Sequence, residues 1–95
     1  MQFEWDEEKA RKNLAKHHVD FDEAKDVCDD PFHMFFLDRF EDGEQRWHAV
    51  GAVGPVVLLL VVHIYLDTDN DTRVRIIGAR KASRQERRRY EQESS

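Results

Sequence analysis

Cysteine, proline and glycine are scarce in this 95-residue chain, which has one, two and four of them. The lone thiol, Cys28, cannot close an internal disulfide, and the paired cysteines of a structural zinc site are missing, so reducing surroundings fit and no cofactor is expected. Long hydrophobic runs are missing too. The longest, Val56 to Ile64 interrupted by His63, falls well short of the roughly 20 residues of a membrane helix and follows Gly54-Pro55, so no membrane span is expected. The start, Met1-Gln2-Phe3-Glu4-Trp5-Asp6, has neither the basic nor the apolar region of a secretory signal, which favours the cytoplasm. Repeats and low-complexity linkers are absent. What is present, 40% hydrophobic and 37% charged residues, is a globular composition with a highly charged exterior, and the length suits a single domain over residues 1–95.

The net charge of −5 hides an asymmetry. Residues 1–72 carry 7 Lys/Arg against 17 Asp/Glu, a balance of −10, whereas residues 73–95 carry 8 against 3, a balance of +5. A basic final quarter on an acidic body suits contact with a polyanion, phosphates above all, while the acidic remainder suppresses unselective attraction. The plain alternative is a solvated helix whose cations pair with nearby carboxylates.

The order of elements is that of an α+β domain. Phe3-Glu4-Trp5 alternates as a short strand does, and Asp6 caps a helix running to about His17, with Glu7 and Glu8 in its first turn. His18 suits a left-handed cap. Asp20 and Glu23 have capping-box spacing, Val19 can staple against Ala24, and Phe21, Ala24, Val27 and Cys28 supply the inner face of a second helix that Pro31 limits. Phe32 to Leu37 reads as strand, Glu41-Asp42-Gly43-Glu44 as a turn, and Gln45 to Val53 as the next strand. Val56 to Leu66 is apolar at both parities, which places it in the middle of a sheet covered on both faces. Asp67 to Asp71 is a polar turn, and Arg73 to Ile77 a strand with Arg73, Arg75 and Ile77 on one side. Ser83 and Glu86 form a capping box opening a charged helix, Arg84 to Glu93. Helices on an antiparallel meander follow.

The block from Arg73 to Tyr90 carries the most chemistry, because it sets guanidinium groups on both sides of a capped helix start. Unpaired N–H groups and planar Arg forks together suit a phosphate oxyanion. Cutting RNA without a metal further requires a base for the 2′-hydroxyl, an acid for the departing 5′-oxygen, and cations for the charge gathering on phosphorus. Glu86, Arg75, Arg80 and Arg87 are candidates for these roles, with His63 and Tyr90 behind them. Each has a plainer reading. Glu86 is a capping residue, Tyr90 an aromatic packed on the body, and His63 a core or sheet-edge histidine beside Leu59, Val61 and Tyr65. His17, His18, His33, His48 and His63 are too dispersed for a metal site, and Asp67, Asp69 and Asp71 lack the Gly and Glu of a calcium loop. Cys28 is read as a small buried hydrophobe.

One constellation goes further. Phe3-Glu4-Trp5-Asp6, Lys9, Asn13, Lys16-His17, Val19-x-Phe21, Ala24, Asp30-Pro31, Glu44-x-Arg46, Gly51, Val61-Val62 and Arg75-Ile76-Ile77-x-Ala79-Arg80-Lys81-Ala82 with Glu86-Arg87 and Tyr90 resembles the BrnT family of toxins over nearly the whole chain. That resemblance implies a RelE-like fold and a metal-independent endoribonuclease of a type II toxin–antitoxin system that blocks translation. It also implies a BrnA-type antitoxin partner, through which alone operator DNA is met. By the same resemblance the catalytic residues are Arg75, Arg80, Glu86 and Arg87, with Lys9, Lys81 and Tyr90 as substrate-binding residues. Where the family usually has Ser, Gly and Phe, this chain has Gly78, His18 and Cys28. The competing expectation is a non-catalytic or degenerate module of the same shape that binds RNA or the antitoxin. Exposed parts of Phe32 to Phe40 are the expected antitoxin surface.

Overall fold

A computed structural model describes residues 1–54, 57–66 and 72–94. Strands β1 (Gln2–Glu4), β2 (Met34–Glu41), β3 (Glu44–Val53), β4 (Val57–Leu66) and β5 (Arg73–Lys81) form one sheet in the order β1-β5-β4-β3-β2. The β2–β5 run is an antiparallel meander with the apolar β4 in the middle, as its double-sided hydrophobicity requires. The short strand β1, whose partner the sequence reading leaves open, joins the edge of this sheet. It pairs in parallel with β5, matching Phe3 to Val74 and Glu4 to Arg75, a non-local pairing with no local sequence signal.

Helix α1 (Glu7–His17) begins where Asp6 accepts hydrogen bonds from the Glu8 and Lys9 amides, and it ends on His18, whose φ of 60° is the left-handed cap that the residue type suits. The second helix is short. α2 (Phe21–Ala24), capped by Asp20, tightens at once into a 3₁₀ segment, Lys25–Asp29. The β2–β3 turn places Asp42 at φ 54° and Gly43 at φ 78°, two successive left-handed residues that match the twist of a tight hairpin. α3 (Arg84–Ser94) closes the described chain. The turn expected at Asp67 to Asp71, Pro55 of the Gly54-Pro55 turn and the Val56 strand start lie outside the described residues.

α1, α2 and the 3₁₀ segment cover one face of the sheet. Val19, Phe21, Ala24, Val27, Ala49, Leu59, Val61, Ile76 and Ala79 are buried there, and Trp5 meets Phe21 edge-on at 6.2 Å between centroids. His63 lies on this face at 2% exposure, and burial lowers its pKa to about 4, so the ring is neutral. It is a core histidine. Cys28 is only half-buried, with its thiol pKa raised by desolvation.

Several residues of the sequence constellation prove to be joints. The Asn13 side chain donates to Ala79 O (2.8 Å) and Val19 O (3.0 Å) and accepts from Ala79 N (3.1 Å), so one amide pairs with the outer edge of β5 as a strand would. Asp30 accepts from the Phe32 amide (2.9 Å), the Ala52 amide (2.7 Å) and the Tyr90 hydroxyl (2.6 Å), tying the turn before β2 to β3 and α3. A Cβ at Gly51 would lie 2.9 Å from both Val27 Cγ1 and Val27 O, so only glycine lets β3 approach the 3₁₀ segment this closely.

Candidate active site

Strand alternation and register decide what the other face of the sheet presents. Leu60 of β4 lies opposite Val50 and Arg80, and Val62 opposite His48 and Gly78, while Phe36 of β2 pairs with His48. α3 lies over part of this face. Between them is a cleft of about 470 Å³, walled by Phe36, His48, Val50 and Leu60 from the sheet and by Gln85, Glu86, Arg88, Arg89 and Gln92 from the helix.

One end of the cleft is fixed by the capping box that the spacing of Ser83 and Glu86 predicts. Glu86 N donates to Ser83 Oγ (3.2 Å) and Ser83 N to Glu86 Oε1 (2.7 Å). The same carboxylate takes the Arg80 fork with both oxygens, Nη1 to Oε1 at 2.8 Å and Nη2 to Oε2 at 2.9 Å. Capping and ion pairing therefore coexist in one side chain. The Arg80 guanidinium, with help from the Ser83 amide, holds the Glu86 carboxyl down to about 2, and the carboxylate in turn raises the Arg80 pKa. Glu86 is thus a permanent anion and a poor proton acceptor.

Along the cleft the groups are less constrained. The Arg89 guanidinium stacks 4.2 Å above the Phe36 ring centroid, and Arg88 has no ion-pair partner among the described residues. His48 Nε2 lies 3.1 Å from Asp38 Oδ2, both side chains about a quarter exposed.

The remaining sequence candidates are dispersed. Arg75 shares the open face with Arg80 but lies opposite Ile64, four residues further along β4, or about 13 Å by strand rise. Its fork is on Glu4, at 2.9 and 3.1 Å to Oε2. Lys9 borders a separate pocket beside Glu4, Trp5 and Arg75. Lys81 lies opposite Leu59 and so points to the helix-covered face, away from Arg80; β5 runs on through Ala79–Lys81, beyond the Ile77 at which the sequence reading ends the strand. A register shift between Val62 and His63 leaves Ile77 outside the β4–β5 pairing, and Ile77 borders one pocket with Arg75 and Lys9 and another with Lys9 and Asn13. Arg87 is exposed and does not line the cleft, whereas Arg88 and Arg89 do, because a step of 100° around a helix separates consecutive residues. The Tyr90 hydroxyl donates a hydrogen bond to Asp30, and burial together with that bond pushes its pKa up to about 12. Sequence reasoning missed Phe36, His48, Arg88 and Arg89 as cleft residues, and Asp38 as the partner of His48. The usable signal was the period-two pattern that sets Phe36 with Asp38, and Arg46 with His48, on one face. Among the described residues no group of three or more His, Cys, Asp or Glu is arranged as metal ligands would be.

The profile of a family described as the ribonuclease toxin, BrnT, of type II toxin–antitoxin systems matches residues 5–86. The chain belongs to the BrnT family. The matched span runs from Trp5 to the first turn of α3 and takes in Arg75, Arg80 and Glu86, while Arg88, Arg89 and Tyr90 lie beyond it. The fold is similar to that of the Brucella abortus ribonuclease toxin BrnT, whose crystal structure superposes with a TM-score of 0.69 at 23% identity, over 88% of this chain and 99% of that one. No curated protein matches the sequence. BrnT membership makes ribonuclease activity the chemistry against which the cleft is to be read.

Proposed function

We propose that this chain is the toxin of a type II toxin–antitoxin pair, cutting RNA endonucleolytically without a metal ion and thereby stopping translation. The observation that carries the reading is the cleft between α3 and the open sheet face, where Arg88 and Arg89 stand beside the Arg80–Glu86 pair. Guanidinium groups there supply the positive charge that a pentacoordinate phosphorus needs. Arg80 is the phosphate contact, aligned by Glu86 as a positioning residue. Arg75, whose fork is on Glu4, and Lys9, in a separate pocket, lie apart from this cleft and are left to contacts with a longer RNA.

A BrnA-type antitoxin completes the system. β2 is the free edge of the sheet, and Phe32, Phe35, Leu37 and Phe40 are 40–69% exposed along it, an apolar margin suited to a covering protein. DNA contact belongs to that partner. No helix among the described residues is long and apolar enough to cross a membrane.

The test is inducible expression without antitoxin, beside Arg80→Ala, following growth and the 5′ ends of cellular RNA, with the purified protein assayed in EDTA. Growth arrest with new RNA ends that vanish in the variant, and cleavage that survives EDTA, is the expected result. A folded chain that leaves growth and RNA untouched would sink it in favour of a non-catalytic module.

A further inference from the structure

Arg88 and Arg89 give the cleft positive charge, but Glu86, clasped by Arg80 and the Ser83 amide, is poorly suited to be its base. Both carboxylate oxygens are occupied, Oε1 by Arg80 Nη1 and the Ser83 amide and Oε2 by Arg80 Nη2. Tyr90 is tied to Asp30 at 2.6 Å, and His63 is sealed into the opposite face of the sheet. What remains among the described cleft residues is one imidazole. We propose that His48, oriented by Asp38, is the general base that takes the 2′-hydroxyl proton, an assignment that rests on the ribonuclease reading above.

The geometry supports it in three ways. Nε2 faces Asp38 Oδ2 at 3.1 Å, and an N–H donated there leaves Nδ1 as the unprotonated nitrogen. Nδ1 has no partner among the described residues. His48 is also the cross-strand neighbour of Phe36, whose ring is covered by Arg89 rather than by a packed side chain, so an RNA base can stack where Arg89 now lies while that cation moves to a phosphate. Imidazole is finally the side chain best suited to exchanging a proton near neutral pH.

The step balances as follows. The 2′-oxygen forms a bond to phosphorus and its proton passes to Nδ1 of His48. The P–O5′ bond breaks and O5′ takes a proton from water. The imidazolium returns its proton to solvent, leaving a 2′,3′-cyclic phosphate and a 5′-hydroxyl. Arg80, Arg88 and Arg89 neutralise the phosphorane, and Asp38 holds the ring as a positioning residue.

The experiment uses the purified full chain on a long single-stranded RNA transcript, comparing wild type with His48→Ala, His48→Gln and Asp38→Asn, each checked for folding by circular dichroism. Expected is a 10²- to 10⁴-fold loss of kcat in both His48 variants with KM little changed, partial rescue of His48→Ala by added imidazole, and a cyclic phosphate on the wild-type product. Asp38→Asn, which loosens the hold on the ring, should lower kcat less than either His48 variant does, with KM little changed. Wild-type cleavage matched by a folded His48→Ala overturns the assignment and leaves the ribonuclease reading standing. Wild type that cuts nothing overturns both.

Discussion

Replacing Glu86 by Gln isolates the ion pair from the cap. Glutamine keeps the shape and can still accept the Ser83 amide, as capping boxes with Gln do, but it cannot hold Arg80 as an anion. In the folded chain the Glu86 carboxyl is drawn from an ordinary 4.5 to about 2. At roughly 1.4 kcal/mol per pH unit that difference corresponds to about 3 kcal/mol, and because the Glu86 side chain is 25% and Arg80 39% exposed, solvent screening reduces it to about 1–2 kcal/mol. The folded pKa is depressed, so this stability is complete above the unfolded value and is lost as pH falls through the folded one. Urea denaturation of both proteins from pH 7 to pH 2 should show Glu86→Gln less stable by that amount at neutrality, roughly 5–15 °C in Tm for a domain of this size, with the gap closing below pH 4. Other carboxylates titrate in both proteins and cancel in the difference. A gap of constant size across that range, or none at pH 7, would refute the reasoning.

Three further outcomes are expected. Gly78→Ser restores the residue usual in the family, and since an added Cβ meets only Asn13 Oδ1 at 3.8 Å and Val62 Cγ2 at 4.0 Å, thermal denaturation should place it within about 0.5 kcal/mol of wild type; a loss above about 2 kcal/mol would show that the site lacks this room. Asn13→Ala uncovers the edge of β5 and should cost about 1–3 kcal/mol in a denaturant titration, with faster hydrogen exchange at the Ala79 amide as its local signature. Exchange at Ala79 as slow as in wild type would contradict the edge-pairing role. The His63 ring, followed by NMR, should stay neutral until about pH 4; since its folded pKa is lowered, its contribution to stability is full above about 6.5 and is lost as pH falls toward 4. A midpoint near 6.5 would mean that the ring is wet.

Features set by neighbouring residues were legible in the sequence. The Asp6 and Ser83 caps, the left-handed His18 and the Asp42-Gly43 turn each follow from local backbone chemistry, and each is in its expected place. The apolar core strand was equally readable from its composition. Parallel pairing of β1 with β5 joins segments some seventy residues apart, and the place of Ile77 outside the β4–β5 pairing depends on how those strands slip past one another, so neither leaves a mark in any short window. The same distinction runs through the candidate site. Arg80 and Glu86 are six residues apart and their association is nearly local. His48 with Asp38, and Tyr90 with Asp30, are tertiary pairs, and in a charged helix only the docking direction tells Arg87 from Arg88 and Arg89.

The place of β5 and α3 in the chain order has a consequence for synthesis. The sheet wall of the cleft, β2–β4, is made early, yet Arg80, Glu86, Arg88 and Arg89 are made last, and β1 waits for β5 to find its parallel partner. A nascent chain therefore has an unfinished cleft and an N-terminal strand without its partner, while the residues of the β2 edge are already made. On the proposed reading, a covering protein that recognises that edge has its binding residues on offer before the basic wall is made.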